Sequence, residues 1–381
     1  MKKIGCFLLA FLLLLFAVPI SSIAENTGYT LSVKAKSAFL MDYDTGTVLF
    51  EQNADERLPL ASVTKIMTLL LVMEALEDGR IHLEEMVTAS EHAASMGGSQ
   101  IDLEVGEQMS VNDLIKSVVI ASANDAAAAL AEHIAGSEEA FVAAMNEKAA
   151  SLGMLNTHFE NTNGLDDTTT AHYSSARDIA IMSRELMRHP KILEYSGIWM
   201  DTIRNGEFGL TNTNRLIRFY PGATGLKTGS TEKAKFCISA TALRDGMHLI
   251  AVVMGAESRD IRNEETKKLL DYGFANYGIY HGKTGTLEPV KVIGGSRDTL
   301  QIKAEDLSAI LGKGESGRVT VRYNIPSELS APIYEGDVVG SVEYVSNGEV
   351  VLKTDIIAAE DVTRISYFGV LTRMLKKLLI S

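Results

Sequence analysis

Apolar positions change their spacing several times along this chain, and each change predicts an element. Ala38–Met41 and Thr47–Phe50 are short apolar runs on either side of Asp42–Gly46, the pattern of two strands joined by a tight turn. From Ile66 to Leu76 apolar residues stand nearly all round, which predicts a fully buried helix. Further helices are predicted from Val111 to Ile120, with Ser110 and Asp113 at capping-box spacing, and from Asp125 to Ile134, stopping at Gly136. Another runs from Ala140 to Leu152, stopping at Gly153, and one follows Ser175 through Ile179, Ile181, Met182 and Leu186 to Pro190. The period then falls to two. Gly225–Gly229, Lys235–Leu243 and Met247–Met254 predict antiparallel strands, with Asp245-Gly246 at the second turn. A last helix of this region is expected from Asn263 to Tyr272. Helices that interrupt an antiparallel sheet make an α+β pattern.

Past about residue 280 the character shifts to short alternating stretches such as Arg318–Arg322 and Ser341–Val345, the mark of a small all-β domain. It holds no cluster of candidate catalytic residues and reads as a spacer or interaction module. At the end, Tyr367, Phe368, Val370, Leu371, Met374, Leu375, Leu378 and Leu379 recur with helical spacing, with Arg364, Arg373, Lys376 and Lys377 among them. That is a basic amphipathic helix, too short and charged to span a bilayer, suited either to an anionic membrane surface or to the protein's own body. The first residues read as an export signal. Lys2 and Lys3 precede the apolar run Ile4–Val18, Pro19 breaks it, and Ser22-Ile23-Ala24 supplies small residues for cleavage after Ala24. An uncleaved anchor is the alternative. The expected organisation is therefore a signal peptide over 1–24, a catalytic domain over 25–279, a β-rich domain over 280–362 and a membrane-associating helix over 363–381.

Composition narrows the chemistry. Hydrophobic residues make up 46% of the 381 positions and charged residues 22%, which excludes a disordered chain. The net charge is −13, and losing Lys2 and Lys3 would make the remainder two charges more acidic, so nucleic acid is not an expected partner. Of the two cysteines, Cys6 goes with the signal, and Cys237, between Phe236 and Ile238 in a predicted strand, reads as core packing. The eight histidines show no His-Glu-x-x-His spacing, and no Gly-rich nucleotide loop occurs, so neither metal nor cofactor is expected.

Three segments carry the candidate chemistry. Ser62-Val63-Thr64-Lys65 opens the buried helix, and residues three apart share a helix face, so Lys65 sits beside Ser62. A lysine activates serine only when uncharged, which burial and neighbouring cations favour. Ser122-Ala123-Asn124 lies between two apolar helices, where Ser122 could relay a proton to the leaving amine and Asn124 could hold the substrate amide. Lys227-Thr228-Gly229 lies on a strand; the lysine and hydroxyl suit a substrate carboxylate, and Gly229 lets a substrate backbone lie close. The backbone N–H groups of Ser62 and Ser230 would form an oxyanion hole. Each segment has a decoy: Ser230–Lys233, Ser110–Asn112 (read as a helix cap) and Lys283–Gly285 (at the domain junction).

The three segments in this order match the motif triple of class A β-lactamases and penicillin-binding proteins. Over about Ala38 to Tyr277 the chain resembles the low-molecular-mass D-alanyl-D-alanine carboxypeptidases of serine peptidase family S11, on Leu60–Thr68, Ala121–Asp125 and Gly225–Thr231. The all-β domain and amphipathic tail also look like that family's C-terminal arrangement. The resemblance implies a β-lactamase/transpeptidase-like catalytic fold acting outside the cytoplasmic membrane. It implies that Ser62 forms an acyl-enzyme with Lys65 as general base, and that Ser122 and Asn124 assist. Lys227 and Thr228 would bind the terminal D-Ala carboxylate, with Arg262 organising that site; some members carry His where Ser230 stands. The implied substrate is the D-Ala-D-Ala end of peptidoglycan stem peptides, with β-lactams as covalent inhibitors.

Three rivals stay open. A class A-like β-lactamase needs a carboxylate to activate the deacylating water, and the nearest candidate, Glu160 in Glu160–Asn163, has a spacing one residue short of that pattern. A peptidoglycan DD-endopeptidase would share all three motifs. A non-catalytic penicillin-binding sensor is disfavoured by intact Ser62, Lys65 and Ser122.

Overall fold

The computed structural model describes residues 31–167 and 169–380. The predicted export signal lies outside them. Strands β1 (Ser37–Asp42) and β2 (Val48–Gln52) form the first hairpin, and β3 (Ala223–Thr231), β4 (Lys235–Arg244) and β5 (Met247–Ala256) form an antiparallel meander. The two parts join through β1 and β5, with Phe39 opposite Val252, giving one sheet in the order β2-β1-β5-β4-β3. All ten residues of β5 are buried, as a strand covered on both faces requires. Arg244-Asp245-Gly246-Met247 turns the β4–β5 hairpin, with Asp245 and Gly246 both at positive φ, the conformation this two-residue loop demands.

On one side of the sheet pack α1 (Lys65–Glu77), α2 (Val111–Lys116), α3 (Asn124–Ala135), α4 (Glu138–Ser151) and α5 (Ala176–Leu186). Helix α1 buries ten of its thirteen residues, and each fully buried aliphatic side chain contributes about 1.5–3 kcal/mol. Helices α2, α4 and α5 start at serines whose hydroxyls accept the N–H three residues on, at Ser110, Ser137 and Ser175. Helix α3 ends at Gly136, held at φ +82°. The predicted helix over 111–120 is shorter as α-helix: after Lys116 the chain makes a π turn over Ser117–Ala121, where Ser117 Oγ donates to Asp113 O at 2.7 Å.

Helix α6 (Arg259–Asn276) begins four residues before the expected Asn263, because Ser258 caps it by accepting Ile261 N–H. Beyond it, Ile302–Ala304, Thr320–Asn324, Val338–Ser346 and Glu349–Ala358 form a four-stranded sheet over a second apolar core containing Val342, Tyr344 and Ile356. The chain ends in α7 (Tyr367–Ile380), whose Tyr367, Phe368, Met374 and Leu379 are exposed. Its Arg373 pairs with Asp298 at 2.7 Å. Among the described residues no helix is long and apolar enough to cross a membrane.

Candidate active site

Ser62 lies in a 3-10 turn, Ala61–Thr64, immediately before α1, where the sequence pattern had suggested the helix itself. The turn enters through Ala61 at φ +49°, and its close partner is strand β3. A Cβ added at Gly229 would lie 2.8 Å from Ser62 N and 2.9 Å from Leu60 O. The glycine is therefore needed for the strand to approach the serine turn, beyond any room it leaves for substrate.

Lys65 is fully buried. Its Nζ lies 3.0 Å from Ser62 Oγ, 2.5 Å from Asn124 Oδ1 and 2.8 Å from Asn163 O. Burial, and then the charge of Lys227, hold its pKa well below the usual lysine value, with Asp125 opposing. A neutral amine has two N–H bonds and one lone pair. With two carbonyl acceptors taking the N–H groups, the lone pair is left for the Ser62 hydroxyl proton.

The π turn delivers Ser122 in the left-handed conformation, φ +64°. Its hydroxyl accepts from Lys227 Nζ at 2.8 Å, and Lys227 also donates to Thr228 O at 3.0 Å. Burial, and then Arg262, lower the Lys227 pKa to about 7. Asn124 opens α3, with its backbone N–H on Ser99 O and its Nδ2 on Gly97 O at 2.6 Å. Both ends of its amide are thus engaged within the protein, which aims Oδ1 at Lys65. Thr228 Oγ1 donates to Thr213 Oγ1 at 2.8 Å.

These segments meet at a cleft of about 400 Å³ lined in part by Ser62, Ser122, Thr228, Gly229, Ser230 and Arg262. Among the described residues, none that lines it carries a carboxylate. Arg262 is buried, not solvated as arginines near helix starts commonly are. It donates to Asn263 Oδ1 at 2.9 and 3.1 Å and has no carboxylate within ion-pair distance among the described residues. Burial, then Arg259, lower its pKa to about 10. Arg215, Arg259 and Arg262 make one part of the cleft cationic, beside the Ser62 hydroxyl.

The decoys lie elsewhere or in other roles. Ser110 caps α2 and Asn112 accepts from Tyr195 OH. Lys233 donates to Asp166 O, and Thr284 is bonded to Asp306. Glu160 accepts from Thr170 N at 2.7 Å and Ala171 N at 3.1 Å, and is absent from the cleft lining. Cys237 is buried in β4, its thiol pushed up to about 11 by burial. Sequence reasoning missed Asn163 and Thr213. Asn163 acts here through its backbone carbonyl, which has no side-chain signature. Thr213 lies in a polar stretch, Thr211–Asn214, that could have been marked as cleft-facing.

The model of the D-alanyl-D-alanine carboxypeptidase family, Peptidase S11, matches residues 23–258. The chain belongs to this family. A second model, the C-terminal domain of penicillin-binding protein 5, matches residues 280–364. The S11 relative D-alanyl-D-alanine carboxypeptidase DacF of Bacillus subtilis is 43% identical, with 98% of each chain covered. Penicillin binding protein 5 from Haemophilus influenzae superposes with a TM-score of 0.79 at 34% identity, covering 88% of this chain and 99% of that one. Penicillin-Binding Protein D2 from Listeria monocytogenes, solved in an ampicillin-bound form, gives 0.59 at 33% identity over 64% of this chain and 98% of its own. The fold is thus the S11 catalytic architecture with an all-β domain after it.

Proposed function

We propose that this S11 peptidase removes the terminal D-alanine from peptidoglycan pentapeptide stems through an acyl-enzyme on Ser62. The observation that carries the reading is the buried Lys65 amine, held by Asn124 and Asn163 and 3.0 Å from Ser62 Oγ. Ser62 Oγ attacks the carbonyl between the two D-alanines as its proton passes to Lys65 Nζ. The N–H groups of Ser62 and Ser230 take the oxyanion. The carbon–nitrogen bond breaks, and the leaving amine receives a proton through Ser122, backed by Lys227. Lys227, Thr228 and Arg262 hold the departing carboxylate. Water then hydrolyses the ester. Asn124 acts by positioning Lys65.

β-Lactams acylate the same serine in this reading. The esters persist, because Glu160 is committed to Thr170 and Ala171 instead of a water in the cleft. Incubation with benzylpenicillin, followed by peptide mapping in the mass spectrometer, is expected to place one adduct on Ser62, and a pentapeptide to release free D-alanine. An adduct on another serine overturns the assignment. Labelling without D-alanine release supports the sensor, fast nitrocefin turnover the lactamase, and preferential loss of cross-linked dimers the endopeptidase.

We also propose that the protein is exported and that α7 lies on the outer face of the membrane. The exposed Tyr367, Phe368, Met374 and Leu379, beside the basic run Arg373, Lys376 and Lys377, support it. A chain ending at Ser366 is expected to lose co-sedimentation with anionic lipid vesicles while keeping D-alanine release. Equal sedimentation of both chains would refute the membrane role.

A further inference from the structure

The Ser62 turn is held from behind by a residue outside the three motifs. His172 is buried, and its two ring nitrogens face two different segments. Glu160 N–H donates to Nδ1 at 3.0 Å, and Nε2 lies 2.7 Å from Thr64 Oγ1. A backbone N–H can only donate, so Nδ1 must present a lone pair. The neutral ring then carries its proton on Nε2 and donates to Thr64. Thr64 in turn donates to Ala61 O at 2.8 Å, which fixes the direction of this chain of hydrogen bonds. Burial pushes the ring's pKa down to about 4, so it stays neutral near neutral pH. The Phe159 ring stands edge-on to it at 5.8 Å.

Both ends of this chain reach the reacting groups. Ala61 and Thr64 bracket Ser62 in the 3-10 turn, and Thr64 directly precedes Lys65. Glu160 begins the segment that carries Asn163, whose carbonyl holds Lys65 Nζ. The same segment brings Gly164, at φ +86°, against Ala61 O so closely that any Cβ would overlap it. Asn161 Oδ1 accepts Gly164 N–H at 2.7 Å and completes the tight turn. His172 therefore sits where the loop that aims the base meets the turn that presents the nucleophile.

We propose that His172 is a positioning residue for acylation: its Glu160–His172–Thr64 hydrogen-bond chain clamps the 160–164 segment to the Ser62 turn and so fixes the Lys65 amine on the Ser62 hydroxyl. This rests on Ser62 being the acylated residue. The clamp does not touch Lys227, Thr228 or Arg262, so reversible binding of a carboxylate ligand is independent of it.

The test compares the acylation rate constant and the reversible dissociation constant for benzylpenicillin in the wild type, His172→Leu and His172→Gln. His172→Leu removes donor and acceptor together and is expected to slow acylation about 10- to 100-fold, leaving the dissociation constant within about twofold. Glutamine can accept from Glu160 and donate to Thr64, so His172→Gln is expected to recover most of the rate. Thr64→Val cuts the same chain from the other end, and combining it with His172→Leu is expected to add little further loss. Should His172→Leu fail to fold, Thr64→Val and His172→Gln carry the comparison. Wild-type acylation rates in His172→Leu, equal defects in the leucine and glutamine variants, or a binding loss matching the rate loss would overturn the clamp. A wild type that is not acylated on Ser62 would instead defeat the functional reading beneath it.

Discussion

Replacing Lys65 by arginine is expected to slow acylation of Ser62 by benzylpenicillin by about 10²- to 10⁴-fold, the range general-base catalysis supplies. Arginine keeps the positive charge and the donors but cannot lose its proton, so no lone pair is offered to the Ser62 hydroxyl. The wild-type lysine is pushed toward neutrality by burial and by Lys227, and Asn124 Oδ1 and Asn163 O take up its two N–H bonds. Lys65→Met is the matching control, since it keeps the volume and removes charge, donors and lone pair. Rapid-quench mass spectrometry reads both. An arginine variant within tenfold of wild type would show that Lys65 is not the base.

Lys227→Met is expected to cut kcat/KM for D-alanine release by about 10²- to 10³-fold, because it removes one partner of a buried charge-assisted contact. The pH profile separates the two lysines. Lys65 must be neutral, so kcat/KM rises with pH through its lowered pKa. Lys227 must be charged to hold the substrate carboxylate, and in the free protein its pKa is lowered to about 7 by burial and Arg262. The wild-type kcat/KM should therefore fall as pH rises through about 7. Bound carboxylate favours the ammonium, so the matching limb in kcat should lie at higher pH. The residual activity of Lys227→Met should lack the alkaline limb. Persistence of that limb would assign it to another group.

How much of this was legible beforehand depends on which atoms carry the information. The β1–β2 hairpin, α1 and the β3–β5 meander were readable because local period and turn residues such as Asp245-Gly246 specify them. The three motifs were readable because their chemistry lies in side chains. The early start of α6 was hidden because its inward face carries Arg262, Glu265 and Thr266 before Leu269 and Leu270, so the apolar period begins late. The π turn at Ser117–Ala121 was hidden because it changes the hydrogen-bond register without changing hydropathy. Asn163 O, and the fixed tautomer of His172, depend on backbone groups that every residue possesses; only the fold says which ones matter.

The pairing of β1 with β5 joins residues 37–42 to residues 249–254. A ribosome must therefore finish most of the polypeptide before this ladder can close, and such distant pairings are slow to form. Within the sheet the lysine strand β3 reaches β1, the strand that leads toward the serine turn, only through β4 and β5. A nascent chain that stops short of residue 249 lacks the β5 partner of β1, and with it the ladder that joins the two parts of the sheet.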